Sequence, residues 1–276
     1  MSEIVCPGCF RRCRLAEGRT GACRARRCEG GKSVSLSYGK ITSLALDPVE
    51  KKPLARFYPG SMVLSVGSFG CNFDCPFCQN DAISCADERT ARWRALAPDE
   101  LAALADSLRD RGNIGAAFTY NEPLIGWEYV LDASREVRRR GMKTVAVTNG
   151  SASPEVLAAL LPWIDAFNID LKGFTPEWYR RLGGDLDAVL AFIREAAKAS
   201  HVELTTLIVP GENDSEDEMR RLAAWVASVD RRIPLHVTRF FPRRNMRDRP
   251  ATDPAAVYRL TAAAREYLDD VLPGNV

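Results

Sequence analysis

No stretch of this 276-residue chain stays apolar over the roughly 20 residues that a membrane-spanning helix needs. Its opening, MSEIVCPGCF, lacks the basic-then-apolar order of a secretory leader. Both absences predict a cytoplasmic protein with no membrane partner. Net charge is scarce too: 38 Lys and Arg against 36 Asp and Glu leave +2, too little to argue for nucleic acid. Neither an internal repeat nor a low-complexity tract interrupts the chain. What remains is an ordinary globular composition, 46% hydrophobic and 27% charged, long enough for one α/β domain, alone or with a small appendage.

Cysteine is the residue present in excess. There are nine, an odd number, gathered in two places in a chain without an export signal. That combination argues against a disulfide framework and for thiolates held by metal.

From Met62 onward, short β-rich runs alternate with amphipathic segments. MVLSVG, GAAFTY, KTVAVTN, DAFNIDL, HVELTTLIV and PLHVTRF read as strands. PDELAALADSLRDRG, PLIGWEYVLDASREVRRRG and DPAAVYRLTAAAREYLDD read as helices, with Pro154 and Pro254 at first-turn positions and Gly141 as a stop. Six strand–helix units predict a parallel sheet with right-handed crossovers, short of a closed eight-unit barrel, with chemistry expected where the strands end. Residues 1–61 read as a separate Cys-rich module, with KSVSLSYGKITSLALD as a hairpin turning at YGK, and residues 62–276 as the core domain.

GSFGCNFDCPFCQN follows the first strand and brings Cys71, Cys75 and Cys78 together at spacings of four and three. A structural zinc site wants four ligands, whereas iron–sulfur clusters are held by Cys thiolates. Three ligands on one tight loop point to a cluster with one iron left open. Gly67 and Gly70 would let the backbone turn around such a bulky core. The competing reading is a zinc knuckle completed by Cys85.

C-x3-C-x2-C after the first strand of a six-unit α/β chain resembles the radical S-adenosylmethionine (SAM) superfamily, and the following Gln79 and Asn80 resemble its pyruvate formate-lyase activating enzyme branch. More specifically, SYGKITSLALDPVEKKPLARFYPG, GCNFDCPFCQN, TYNEPL, DLKGF, HVTRFFP and GNV resemble, in order, the AmmeMemoRadiSam system radical SAM enzymes. The resemblance implies a partial (β/α)6 TIM-like barrel and a [4Fe-4S] cluster on Cys71, Cys75 and Cys78. SAM would chelate the open iron and be cleaved to methionine and a 5′-deoxyadenosyl radical. The radical would take hydrogen from a protein or a small molecule.

The resemblance also implies an electron donor such as flavodoxin or ferredoxin, and partner proteins of the AmmeMemo system. It puts Phe77 against the adenine and Glu122 of TYNEP at the SAM ammonium, where Asn121 departs from the usual glycine. Asp170, Lys172 and Thr148 are carried over to the SAM and substrate site, and His236 to a place near SAM. Activating enzymes tend to have an Arg where Thr205 stands, which weighs against a glycyl-radical partner.

Cys6, Cys9, Cys13, Cys23 and Cys28 crowd into a segment with little core of its own. Four of them, taken as Cys6, Cys9, Cys13 and Cys23, predict a second site for zinc or another cluster. The rival from another class is a non-catalytic module that uses both cysteine groups as zinc sites for protein contact.

Overall fold

The computed structural model describes residues 3–276. Eight strands form its central sheet: β1 Ser43–Pro48, β2 Met62–Gly67, β3 Asn113–Phe118, β4 Lys143–Thr148, β5 Ala166–Asp170, β6 His201–Ile208, β7 Leu235–Arg239 and β8 Val271–Gly274. Spatial order follows chain order from β1 to β8. Every neighbouring pair is parallel except β1 and β2, which run antiparallel with Ser43 opposite Gly67. No ladder joins β8 to β1, so the sheet is open. All six strands expected from the sequence are present.

Their two-residue alternation divides the protein into an outer and an inner layer. Leu64, Val66, Ala116, Phe118, Ala146 and Ile169 belong to the outer core, packed with the helices. The crossover helices start as the sequence predicts. Pro154 and Pro254 open helices Pro154–Leu160 and Pro254–Arg265, and the Ser153 and Asp253 side chains accept backbone N–H bonds there. Among the described residues, no helix is long and apolar enough to cross a membrane.

On the inner face, Val63, Ala117, Val145 and Ala166 of β2–β5 meet Val49, Leu54 and Phe57. Those three come from the link between β1 and β2, which covers the inner face near the strand starts. Burying each large apolar side chain there contributes about 1.5–3 kcal/mol.

This link and β1 lie before residue 61 and pack on the core sheet. The turn at Tyr38 and Gly39 forms, with Lys40 N donating to Ser37 O at 3.1 Å. The strands beside it do not pair with each other, however. Lys32–Ser35 pairs with Arg26–Glu29, and β1 joins the core sheet. The reason is burial: paired with β2, β1 lies against a strand buried from Val63 to Gly67, which an isolated hairpin does not offer.

Candidate active site

The loop after β2 is held from both sides. Asn121, just past β3, accepts from Ser68 N at 3.0 Å and donates to the carbonyls of Phe69 and Gly70 at 3.2 and 3.1 Å. The departure from glycine at this position thus supplies an amide that secures the entry of the cysteine loop. Farther on, Asp74 N donates to Leu182 O at 2.8 Å, and Arg244 donates to Cys75 O at 2.7 Å and to Asp74 at 2.6 Å.

Cys71, Cys75 and Cys78 lie within electrostatic reach of one another on this loop. Burial first, then Glu122 and Cys75, push the Cys71 thiol well up; burial pushes Cys75 up to about 11, with Lys172 acting against it. Phe73 N lies 3.4 Å and Asn149 Nδ2 3.8 Å from the Cys71 sulfur. Asn149 is itself fixed by Asn72 Oδ1 at 2.9 Å, and Asn72 donates to Ser151 Oγ at 2.7 Å. Among the described residues, no three His, Cys, Asp or Glu side chains close on a single metal ion.

Two glycines act otherwise than expected. A Cβ on Gly67 would sit 2.9 Å from the Tyr120 ring, and one on Gly70, at φ +84°, would sit 2.5 Å from the Cys23 carbonyl. Both make room for neighbouring protein, Gly70 for the N-terminal module.

At the end of β3, Glu122 is buried and accepts three bonds: Oε1 from Leu124 N at 3.0 Å and Thr148 Oγ1 at 2.7 Å, Oε2 from Asn149 N at 2.7 Å. Burial raises its pKa to about 7 against those bonds. Glu122 thereby ties the ends of β3 and β4 together beside Cys71. At the end of β5, Lys172 donates to Asp170 Oδ2 at 2.7 Å. Burial opposes its charge, but Asp170 and then Cys75 hold its pKa above the ordinary value. Phe77 stacks on Trp178 with centroids 5.8 Å apart, and Trp178 Nε1 donates to Lys172 O at 2.8 Å. Glu122, Thr148, Asp170, Lys172, Phe77 and the three cysteines all fall at or beyond the C-terminal ends of β2–β5, as the strand-end rule requires. A surface cavity of about 460 Å³, lined by Arg138, Asp165 and His201 among others, opens instead near the starts of β5 and β6.

His236 has a different attachment from the one expected. Its Nε2 lies 2.7 Å from Glu203 Oε2, and His201 Nε2 lies 2.9 Å from Glu203 Oε1. The same carboxylate accepts from Ala55 N and Arg56 N at 2.9 and 2.7 Å, so it anchors the β1–β2 link. The hydrogen bonds of this network run from His201 and His236 through Glu203 to the β1–β2 link. Burial would raise the pKa of Glu203, but His201, His236 and the two N–H groups hold it at about 2. Because that value lies below the unfolded one, Glu203 contributes stability above about pH 4.5 that is lost as pH falls toward 2. We expect Glu203→Gln to lower stability at pH 7 by about 1.5–3 kcal/mol, the difference from wild type shrinking between pH 4.5 and 3. Denaturant midpoints across that range check it.

Sequence reasoning missed a second inner group. Tyr120, at φ +75°, donates its hydroxyl to Asp47 at 2.8 Å, and Ser65 Oγ donates to the same oxygen at 2.9 Å. Buried Lys52 completes it, 2.9 Å from Asp47 and 4.6 Å from the Tyr120 ring centre. The only signal was the run DPVEKKPL, whose partner Tyr120 lies about 70 residues downstream in the chain.

Residues 65–223 match the family model described as Radical SAM superfamily. An uncharacterized protein of Methanocaldococcus jannaschii is 37% identical over 280 residues, covering 100% of this chain and 82% of that one. The isethionate sulfite-lyase activating enzyme of Oleidesulfovibrio alaskensis is 28% identical over 124 residues, or 44% of this chain and 40% of that enzyme. The crystal structure of a domain of pyruvate-formate lyase-activating enzyme from Bacteroides vulgatus superposes at a TM-score of 0.52 with 18% identity, covering 58% of this chain and 99% of that domain.

Proposed function

From the premise that the chain belongs to the radical SAM superfamily, whose cofactors are a [4Fe-4S] cluster and SAM, we propose that it cleaves SAM reductively and uses the 5′-deoxyadenosyl radical to take hydrogen from its substrate. The observation that carries this reading is one assembly at the strand ends: Cys71, Cys75 and Cys78 on the loop after β2, braced by Asn72 and Asn149, beside Glu122 and the Asp170–Lys172 pair.

The donor set fits a cluster. Three thiols come from one loop, and an amide beside the Cys71 sulfur suits a ligand that carries charge when deprotonated. When bound, the cluster supplies the electron that breaks a carbon–sulfur bond of SAM.

The chain's own residues then bind and orient. Glu122 Oε2 accepts one protein bond, which leaves capacity for the SAM ammonium in a buried setting. Lys172, kept charged by Asp170, would pair with the methionine carboxylate. Phe77, stacked on Trp178, would lie against the adenine. Burial of Glu122 and Phe77 would help to exclude water from chemistry at this site.

A polypeptide substrate is favoured by the activating-enzyme relative, although this chain spans only 40% of that enzyme. A glycyl-radical partner is disfavoured by Thr205, which on β6 donates to Asn168 Oδ1 at 3.1 Å where activating enzymes tend to have an Arg. Electron paramagnetic resonance of the reduced, iron-reconstituted protein tests the SAM site. The cluster signal should change when SAM is added, and an unchanged signal from fully loaded protein overturns the reading.

A further inference from the structure

We propose that residues 239–249, which lead out from the end of β7, form the docking surface for a small acidic protein that delivers one electron. This rests on the radical SAM reading, in which the group on the cysteine loop is reduced from outside the chain. Positive charge is concentrated in this segment. It has five Arg against one Asp, in a protein whose net charge is only +2.

The segment is joined directly to the cysteine loop. Asn245 N donates to Pro76 O at 2.9 Å, and Arg244 donates to Cys75 O at 2.7 Å and to Asp74 at 2.6 Å. Arg244 takes φ +47°, a left-handed value that a side-chain-bearing residue adopts at a cost. Met246 is buried, and its N–H closes a turn on Arg243 O at 2.8 Å. A partner that touches Arg244 is therefore separated from Cys75 by a single side chain.

The acids beside it leave the charge uncancelled. Asp74 is shared by Arg244 and Arg24, at 2.6 and 3.9 Å. Glu212, on the loop after β6, is shared by Arg249 and Arg181, at 2.7 and 3.0 Å. Each acid stands between two guanidinium groups, which leaves one positive charge over at each place. Arg243 and Arg247 are exposed and add to that excess, and exposed Asp248 offsets one of them. The surface stays basic.

An exposed aromatic side chain lies among these charges. Phe241 is 44% exposed, and the Arg239 guanidinium sits 4.9 Å from its ring centre. Arg239 Nε also donates to Thr252 O at 2.7 Å, so the stacked pair is held in place before any partner arrives. Aromatic and Arg side chains are the types enriched where proteins meet.

Electron-transfer encounters bury little surface and are steered by opposite charge, which a fixed basic patch with one exposed ring supplies. Nucleic acid would ask for a longer basic track than one loop. The step moves one electron from the reduced flavin or iron–sulfur group of the carrier to the group on the cysteine loop. The carrier is oxidised, that group is reduced, and no bond forms or breaks.

The test gives the iron-reconstituted full chain two reductants: a flavodoxin of strongly negative net charge, and reduced methyl viologen, a small cation. In the variant with Arg243→Glu and Arg247→Glu, reduction by flavodoxin should slow by about tenfold or more at low salt. The wild-type rate should fall as salt is added, and the variant's should not. Reduction by methyl viologen and the affinity for SAM should be undiminished. Calorimetric titration with oxidised flavodoxin should show binding weakened by about tenfold or more in the variant. Equal binding and equal reduction by flavodoxin in the two proteins overturn the proposal. So does a wild type that binds no flavodoxin, or that binds single-stranded DNA in its place. If the methyl viologen-reduced wild type never responds to SAM, the radical SAM reading fails, and the binding comparison still decides the surface.

Discussion

Glu122→Gln should bind SAM about ten- to a hundredfold more weakly, with the iron content per chain unchanged. A carboxylate that accepts from an ammonium contributes a charge-assisted bond of about 1.5–3 kcal/mol, which converts to that range of affinity. Gln keeps the size and loses the charge. It also places an NH2 where one oxygen accepted from protein, so either Asn149 N or Leu124 N loses its buried partner at about 1–3 kcal/mol. Thr148→Ala separates the two contributions, because it removes one bond to Glu122 and leaves the charge in place. Its loss of SAM affinity should stay within about tenfold. SAM titration followed by the cluster's spectrum reads all three proteins. Wild-type affinity in Glu122→Gln would make this residue only the brace between the ends of β3 and β4.

Changing Cys71, Cys75 and Cys78 together to Ala should abolish SAM cleavage, the largest effect expected of any variant here. Cys85, which ends the short helix Asp81–Ser84 within electrostatic reach of Cys78, is a single thiol and cannot replace three ligands. The fold should survive, because Asn121, Asn72 and Arg244 hold the loop by bonds that involve no cysteine side chain. Circular dichroism should therefore match wild type while the SAM-dependent spectral change is gone. A persisting change would place the SAM site elsewhere.

What could be read from the chain alone follows from how local each signal is. The six strands were legible because each is a short, largely apolar run alternating with amphipathic segments, and the cysteine loop because all three of its cysteines fall within eight residues. β1 was misplaced because its partner choice is settled by tertiary burial and not by the Tyr38–Gly39 turn beside it. His236 was legible as a strand residue, but its partner Glu203 lies 33 residues earlier on the adjacent strand. Gly67 and Gly70 were legible as glycines a tight loop needs, but not as spaces for neighbouring protein. What approaches, the Tyr120 ring and the Cys23 carbonyl, comes from distant parts of the chain. Asn121 looked like a defect in a glycine pattern until its three bonds to residues 68–70 were seen.

The most direct measurement of the central claim is the amount of 5′-deoxyadenosine and methionine formed when the iron-reconstituted, chemically reduced protein is given SAM without air. The account predicts both products, slowly, in equal amounts and without added substrate, and neither product from the Cys71, Cys75, Cys78→Ala variant. Wild-type protein with its full iron content and a demonstrably reduced cluster that forms neither product would contradict it.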